Sequence, residues 1–170
     1  MQPTQPIVLK NLPNRDAKVV DRLGTLVAML CVACSERRVY DRYQHTVLSG
    51  WERNDSLKFN DIPRFQQAGC YTLDLGLRVT ANYPFTTLTL VVDRMLYPSM
   101  AISRDTVTCS LVDRRGRRQG TGGISYFQYQ QRLRDVRVKA GDSLVVYVRH
   151  YMKREMLPGI SDVGILLQQQ

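Results

Sequence analysis

Cys34 is the residue of this 170-residue chain most plainly placed for covalent chemistry. It follows small Ala33 and an apolar run over residues 23–32, which is itself preceded by Lys10, Arg15, Lys18 and Arg22. A basic stretch, an apolar core and a small residue before the cut are the order of a secretory leader, and a cysteine at the cut makes it a lipoprotein leader. Cleavage would leave Cys34 as the new N-terminus, its thiol carrying a diacylglycerol and its amine a further acyl chain. More than one chain gives stable anchoring where one gives only reversible binding. The apolar run lies within the length of a signal-peptide core and well short of the roughly 20 residues that a spanning helix needs. A buried N-terminal helix is the competing reading. Ser35-Glu36-Arg37-Arg38 ends the run at once, and no 3.6-residue period extends it on either side.

The other side chains with chemical potential are scattered. His45 and His150 are the only histidines, and neither has a carboxylate or second histidine at ligand spacing in the sequence. Ser161-Asp162 and Asp142-Ser143 lack a base beside them. Gly120-Thr121-Gly122-Gly123 looks like a phosphate loop, but it has no following Lys-Ser or Lys-Thr and opens no helix. Its glycines fit a turn or a bulge where backbone comes close to a neighbour. The expectation is a protein without catalytic residues, metal or cofactor.

Arg114, Arg115, Arg117 and Arg118 crowd one turn, Asp113-Arg114-Arg115-Gly116. Asp113 can bond its own backbone and Gly116 can supply a positive φ, so the segment first of all turns the chain. The four arginines then form a candidate partner or anion patch, for lipid head groups, acidic glycan or an acidic protein face. Arg132, Arg134, Arg137 and Lys139 follow in sequence.

The elements that must carry these residues read as strands. Tyr71, Leu73, Leu75, Leu77 and Val79 alternate with polar or small residues, as do 88–92, 107–111, 144–148 and 163–167. Turn signals separate them at Asn82-Tyr83-Pro84, Tyr97-Pro98-Ser99, Ala140-Gly141-Asp142 and Leu157-Pro158-Gly159. Short turns and no interposed helix predict antiparallel pairing, and so an all-β, antiparallel β-sandwich of jelly-roll or immunoglobulin-like type, with a small barrel as the alternative. The domains expected are a leader over 1–33 and one sandwich over 34–170. Gln168-Gln169-Gln170 reads as a frayed tail. Parity puts Cys109 on an inward face and Cys70 on an outward one, which argues against a disulfide between them.

Val39-Tyr40-Asp41-Arg42-Tyr43, Gly50-Trp51, Asn82-Tyr83-Pro84-Phe85, Gly120-Thr121-Gly122 and Leu157-Pro158-Gly159-Ile160-Ser161-Asp162-Val163-Gly164 occur in this order behind the leader. Together they resemble the gliding-motility lipoprotein GldH family of Bacteroidetes. The resemblance runs from about Val39 to Leu167, and its motif residues here are Tyr40, Asp41, Trp51, Tyr83, Pro84, Phe85, Gly120, Thr121, Gly122, Gly159, Asp162 and Gly164. It implies an envelope lipoprotein of the gliding apparatus, a system linked to type IX secretion, with no catalytic residues. Family members tend to carry an acidic Asp-Pro-Asp-Gly turn where this chain has its arginines, so any partner surface at that loop differs here.

Charge bounds the partners further. Loss of the leader removes four basic groups (Lys10, Arg15, Lys18, Arg22) and two acidic ones (Asp16, Asp21), so the net charge falls from +9 to +7. Nucleic acid would suit a pI near 9.7, with Tyr126, Phe127 and Tyr129 as stacking platforms. Export removes that partner. The expected partners are a membrane, through the anchor, and other envelope proteins, with the outer membrane favoured by Ser35 after the cysteine. Two alternatives carry structural conditions. A glycan-binding module needs Trp51, or Tyr126, Phe127 and Tyr129, exposed and coplanar. A lipid carrier needs a cavity behind the apolar faces.

Overall fold

The computed structural model describes residues 37–170 apart from Leu48, all within one compact unit, Glu36–Gln170. Cys34 and the leader lie outside the described residues. Twelve strands follow in order, all paired antiparallel: β1 (Arg37–His45), β2 (Trp51–Glu52), β3 (Leu57–Phe59), β4 (Gly69–Val79), β5 (Thr87–Tyr97), β6 (Ala101–Ser110), β7 (Thr121–Gly122), β8 (Phe127–Arg132), β9 (Val136–Val138), β10 (Ser143–His150), β11 (Met156–Leu157) and β12 (Ile160–Gln169). The first sheet runs β1-β12-β4-β8-β7, with β9 continuing the β8 edge of β4; the second runs β3-β10-β5-β6.

The alternating apolar residues build the core. Leu73, Leu75 and Leu77 of β4 stand opposite Leu167, Ile165 and Val163 of β12, and all six are buried. Leu88, Leu90 and Val92 of β5, with Leu144, Val146 and Val148 of β10, form the facing layer and are also buried. Each sheet turns its apolar set inward by the two-residue period, as antiparallel sandwiches do, while the central strands β4 and β12 also bury Thr72, Asp74 and Asp162 on the other face.

Pairing separates the two sandwich types that the alternation left open. β5 pairs β6, β4 pairs β8, β3 pairs β10, β2 pairs β11 and β1 pairs β12. The pairs are nested inside one another, as in a single long hairpin rolled into two sheets. That is a jelly roll and not an immunoglobulin-like sandwich.

The C-terminal glutamines depart from the sequence reading. β12 runs through Gln169, which faces Arg37 on one side and Tyr71 on the other, and the Gln170 N–H donates to the Cys70 carbonyl at 3.1 Å. The tail is ordered because β12 lies inside the sheet, so both of its edges offer backbone partners whatever the side chains are.

Candidate functional site

The outer face of the first sheet carries a polar groove, and two glycines make it. Gly76 on β4 and Gly164 on β12 are register partners, and Tyr43 on β1 stands opposite Gly164. A Cβ on Gly164 would lie 2.7 Å from Tyr43 Cδ1, and one on Gly76 would overlap the Tyr43 hydroxyl. The tyrosine ring therefore lies across a window that only glycines leave open. Gln128 of β8 donates from Nε2 to the Tyr43 hydroxyl at 3.2 Å. The Arg78 guanidinium sits 4.2 Å from the Tyr43 ring centre and 5.3 Å from that of Tyr126, so it is held between two aromatic rings.

Below Arg78 is a carboxylate taken out of water. Asp162 is 5% exposed, with Arg78 Nη1 at 3.7 Å and His45 Nδ1 at 2.5 Å from its Oδ1. Arg38, Asp41 and Gln130 complete a groove of about 390 Å³. Burial holds the Tyr43 hydroxyl above the ordinary phenol range, with Arg78 opposing, so Tyr43 stays neutral. Tyr40 lies beneath the same strand, its hydroxyl donating to Asp61 Oδ1 at 2.5 Å and kept protonated by burial and then by that carboxylate. A stacked guanidinium, amides and carboxylates can hold polar groups by hydrogen bonds and ion pairs. Among the described residues, no group of three or more His, Cys, Asp or Glu is arranged to hold a metal.

Most of the remaining motif residues lie in the core or in tight backbone positions. Trp51 is wholly enclosed, donates to the Asp55 carbonyl at 3.2 Å and meets the His150 ring edge-on at 5.3 Å. His150, also enclosed, donates from Nε2 to the Trp51 carbonyl at 3.0 Å, while its Nδ1 accepts from the Met152 N–H at 3.4 Å. That pair of bonds fits one neutral tautomer, and burial lowers the His150 pKa. Gly159 has φ +81°, and a Cβ there would lie 2.6 Å from Tyr83 Cα. Tyr83 donates to the Thr87 carbonyl at 2.8 Å and carries half-exposed Phe85 edge-on, beside exposed Pro84. Gly120 admits the Tyr129 ring, and Thr121-Gly122 is a two-residue strand on β8 with Gly122 at φ +127°.

A family model for the GldH lipoprotein matches residues 38–167, from the second residue of β1 into β12. The chain belongs to the GldH lipoprotein family. No curated protein matches it. Among solved structures, Eiger TNF from S. frugiperda is similar at 14% identity over 79% of this chain and 94% of the other, with a TM-score of 0.30. That value is too low to bear on fold or function. GldH membership makes the protein a gliding-motility-associated, membrane-anchored envelope lipoprotein.

Of the GldH motif residues, the structure gathers Asp41, Asp162 and Gly164 at the groove. It adds Tyr43, which closes the first quoted motif without being among its named residues, and Gly76, Arg78 and Gln128, which no motif covers. Gly76 was the available signal, a glycine inside a strand that otherwise alternates cleanly.

The arginine turn divides in two. Asp113 Oδ1 accepts from the Arg115 and Arg117 N–H groups at 2.8 Å each, and Oδ2 accepts from Arg117 Nε at 2.9 Å. These bonds, led by the backbone one from Arg117, hold the Asp113 carboxyl below its usual range, and Gly116 takes φ +77°. Arg118 lies 4.7 Å over the Phe127 ring and donates to the Ala81 carbonyl at 3.4 Å. Arg114 and Arg115 keep exposed guanidinium groups without an ion pair among the described residues. Arg132 and Arg134 do not extend this patch: Arg132 pairs with Asp74 and Asp135, and Arg134 with Asp105.

The glycan-binding alternative loses its structural condition. Trp51 is enclosed, and Phe127 and Tyr129 share a face of β8 that Tyr126, just before the strand, does not share; Tyr129 is buried, so no coplanar glycan platform exists there. Between the sheets the apolar faces fill one another as one packed core, and an open cleft of about 810 Å³ walled by Cys70, Leu96, Pro98 and Val138 lies at one end of it. Cys70 and Cys109 are free thiols, as parity predicted, and burial pushes the Cys109 thiol up to about 11.

Proposed function

We propose that this protein is a non-catalytic subunit of the gliding apparatus and its linked type IX secretion machinery, anchored by lipid on Cys34 in the outer membrane and binding other envelope proteins. The observation that carries the reading is the family match, which spans both sheets and so takes in the groove as well as the core. A leader ending at Ala33-Cys34 supports the anchor. His150 is committed to structure by the Trp51 carbonyl and the Met152 N–H, while exposed His45 lies against Asp162 at the groove. The groove at Tyr43 and Arg78 supplies one polar binding face. Arg114 and Arg115 supply a second, suited to an acidic protein surface.

The test is cross-linking in native membranes, purification through a C-terminal tag and identification of captured proteins by mass spectrometry, with Cys34→Ala as the unanchored control. Gliding or type IX secretion proteins are expected in the capture and lost from the control. Arg114→Glu with Arg115→Glu should thin the capture without changing the melting temperature. Capture of lipid or glycan alone would overturn the reading.

A further inference from the structure

One end of the jelly roll has the composition of a lipid-contacting surface, and it is the end from which the chain leads back to Cys34. β1 begins at Arg37, which faces Gln169; Gln169 faces Tyr71; and Tyr71 faces Val136. The starts of β1 and β4 and the ends of β9 and β12 therefore lie side by side, with Val138 facing Gly69. Cys34 is three residues before Arg37. Three extended residues reach about 11 Å at most, so a lipid on Cys34 would hold this end within about that distance of the headgroups.

What this end presents fits such a place. An open cleft of about 810 Å³ lies between the sheets' edges here, walled by Cys70, Leu96, Pro98 and Val138 and flanked by Arg137 and Lys139. A second groove, on the other side of the 63–70 segment, is lined by Arg37 and Arg64. All four cations are exposed, and none forms an ion pair among the described residues. The acidic groups at this end are engaged: Asp142 is buried and accepts from the Lys139 N–H at 2.9 Å, and Asp135 accepts from Arg132 and from the Gln170 side chain. Beside the cleft the β5–β6 turn exposes Tyr97 and Met100, and Ile102 follows on β6. Exposed apolar side chains ringed by unpaired cations are what an anionic bilayer surface holds, the cations at headgroup depth and the apolar groups at the acyl boundary.

We propose that this end of the sandwich rests on an anionic bilayer surface, with Arg37, Arg64, Arg137 and Lys139 against the headgroups and the 97–100 turn entering the interface. The distance argument rests on the lipid at Cys34. The charge and apolar arguments do not.

The test places a tryptophan reporter at each end: Met100→Trp at the proposed surface and Arg115→Trp at the turn beyond the other end of β6, about 30 Å away at the rise of a strand. The purified protein is mixed with vesicles of phosphatidylcholine alone or with phosphatidylglycerol added, each containing brominated lipid. The Met100→Trp protein should shift its emission to the blue and be quenched in the anionic vesicles. The same protein with Arg64→Gln, Arg137→Gln and Lys139→Gln should lose that quenching, and the Arg115→Trp protein should show none. Quenching that ignores phosphatidylglycerol and the three glutamines, or that appears equally at Arg115→Trp, overturns the proposal. The mass of the mature chain reports the lipid on Cys34 separately. If that lipid is missing, the anchor reading fails while the quenching still decides the surface.

Discussion

At the scale of single residues, the most consequential polar group of the interior is His150. Its alternation with Leu144, Val146 and Val148 sends it inward, and Trp51 and Met152 between them occupy both ring nitrogens. Protonation would cost the bond at Nδ1 and place a charge where water does not reach. The folded protein therefore resists the proton that the unfolded chain accepts near pH 6.5. Because the unfolded state binds more protons between that pH and the lowered folded value, stability rises with pH across the window and is lost as pH falls through it. The slope should be about 0.7 kcal/mol per pH unit at pH 6.5 and rise toward a ceiling of about 1.4 kcal/mol per pH unit further down, for as long as the folded imidazole stays neutral. Urea denaturation from pH 7.5 down to 5 measures it. His150→Gln should be less stable at neutral pH and should lose this part of the slope; an unchanged slope would place the effect in other groups.

At the scale of elements, β1 is held to the sheet by the fit of Tyr43 over the glycine window. Alanine at Gly164 would push a methyl into the ring, at a cost of about 1–3 kcal/mol where packing is tight. In a Tyr43→Ala background the clash is gone. What remains is the loss of unfolded-state freedom that alanine brings, a gain of about 0.4–1 kcal/mol. Gly164→Ala should therefore destabilise the parent and leave the Tyr43→Ala protein unchanged or firmer, a sign reversal that a double-mutant cycle reads by chemical denaturation. The same window shows where sequence reading stops. β4, β5, β10 and β12 were legible because their inward positions are Leu, Val and Ile at period two. β1 was not, since Arg37, Arg38, Asp41 and Arg42 line an edge strand with little to bury. β8 was missed as a strand because its inward set, Phe127, Tyr129 and Gln131, mixes aromatic and amide. The site suffered most. Tyr43, Arg78 and Gln128 come from three strands, and only the register of β1 on β12 and of β4 on β8 brings them together.

At the scale of the whole molecule, nesting makes the last strand indispensable. β12 is final in sequence, yet it sits between β1 and β4 and supplies Val163, Ile165 and Leu167 to the core. Without it β1 has no partner in the first sheet, and Leu73, Leu75 and Leu77 lose the strand beside them. A chain ending after Leu157 should then fail to fold: removing even one buried Leu or Ile side chain costs about 2–5 kcal/mol against a total of about 5–15 kcal/mol. A chain ending after Leu167 keeps every inward side chain of β12 and loses only the pairing of three glutamines near Arg37, Tyr71 and Cys70. It should fold with a lowered melting temperature. Circular dichroism melts of the two truncations separate the cases. If the chain ending after Leu157 melted cooperatively near the parent's temperature, the outer layer of the nest would be an accessory to the fold and not part of its closure.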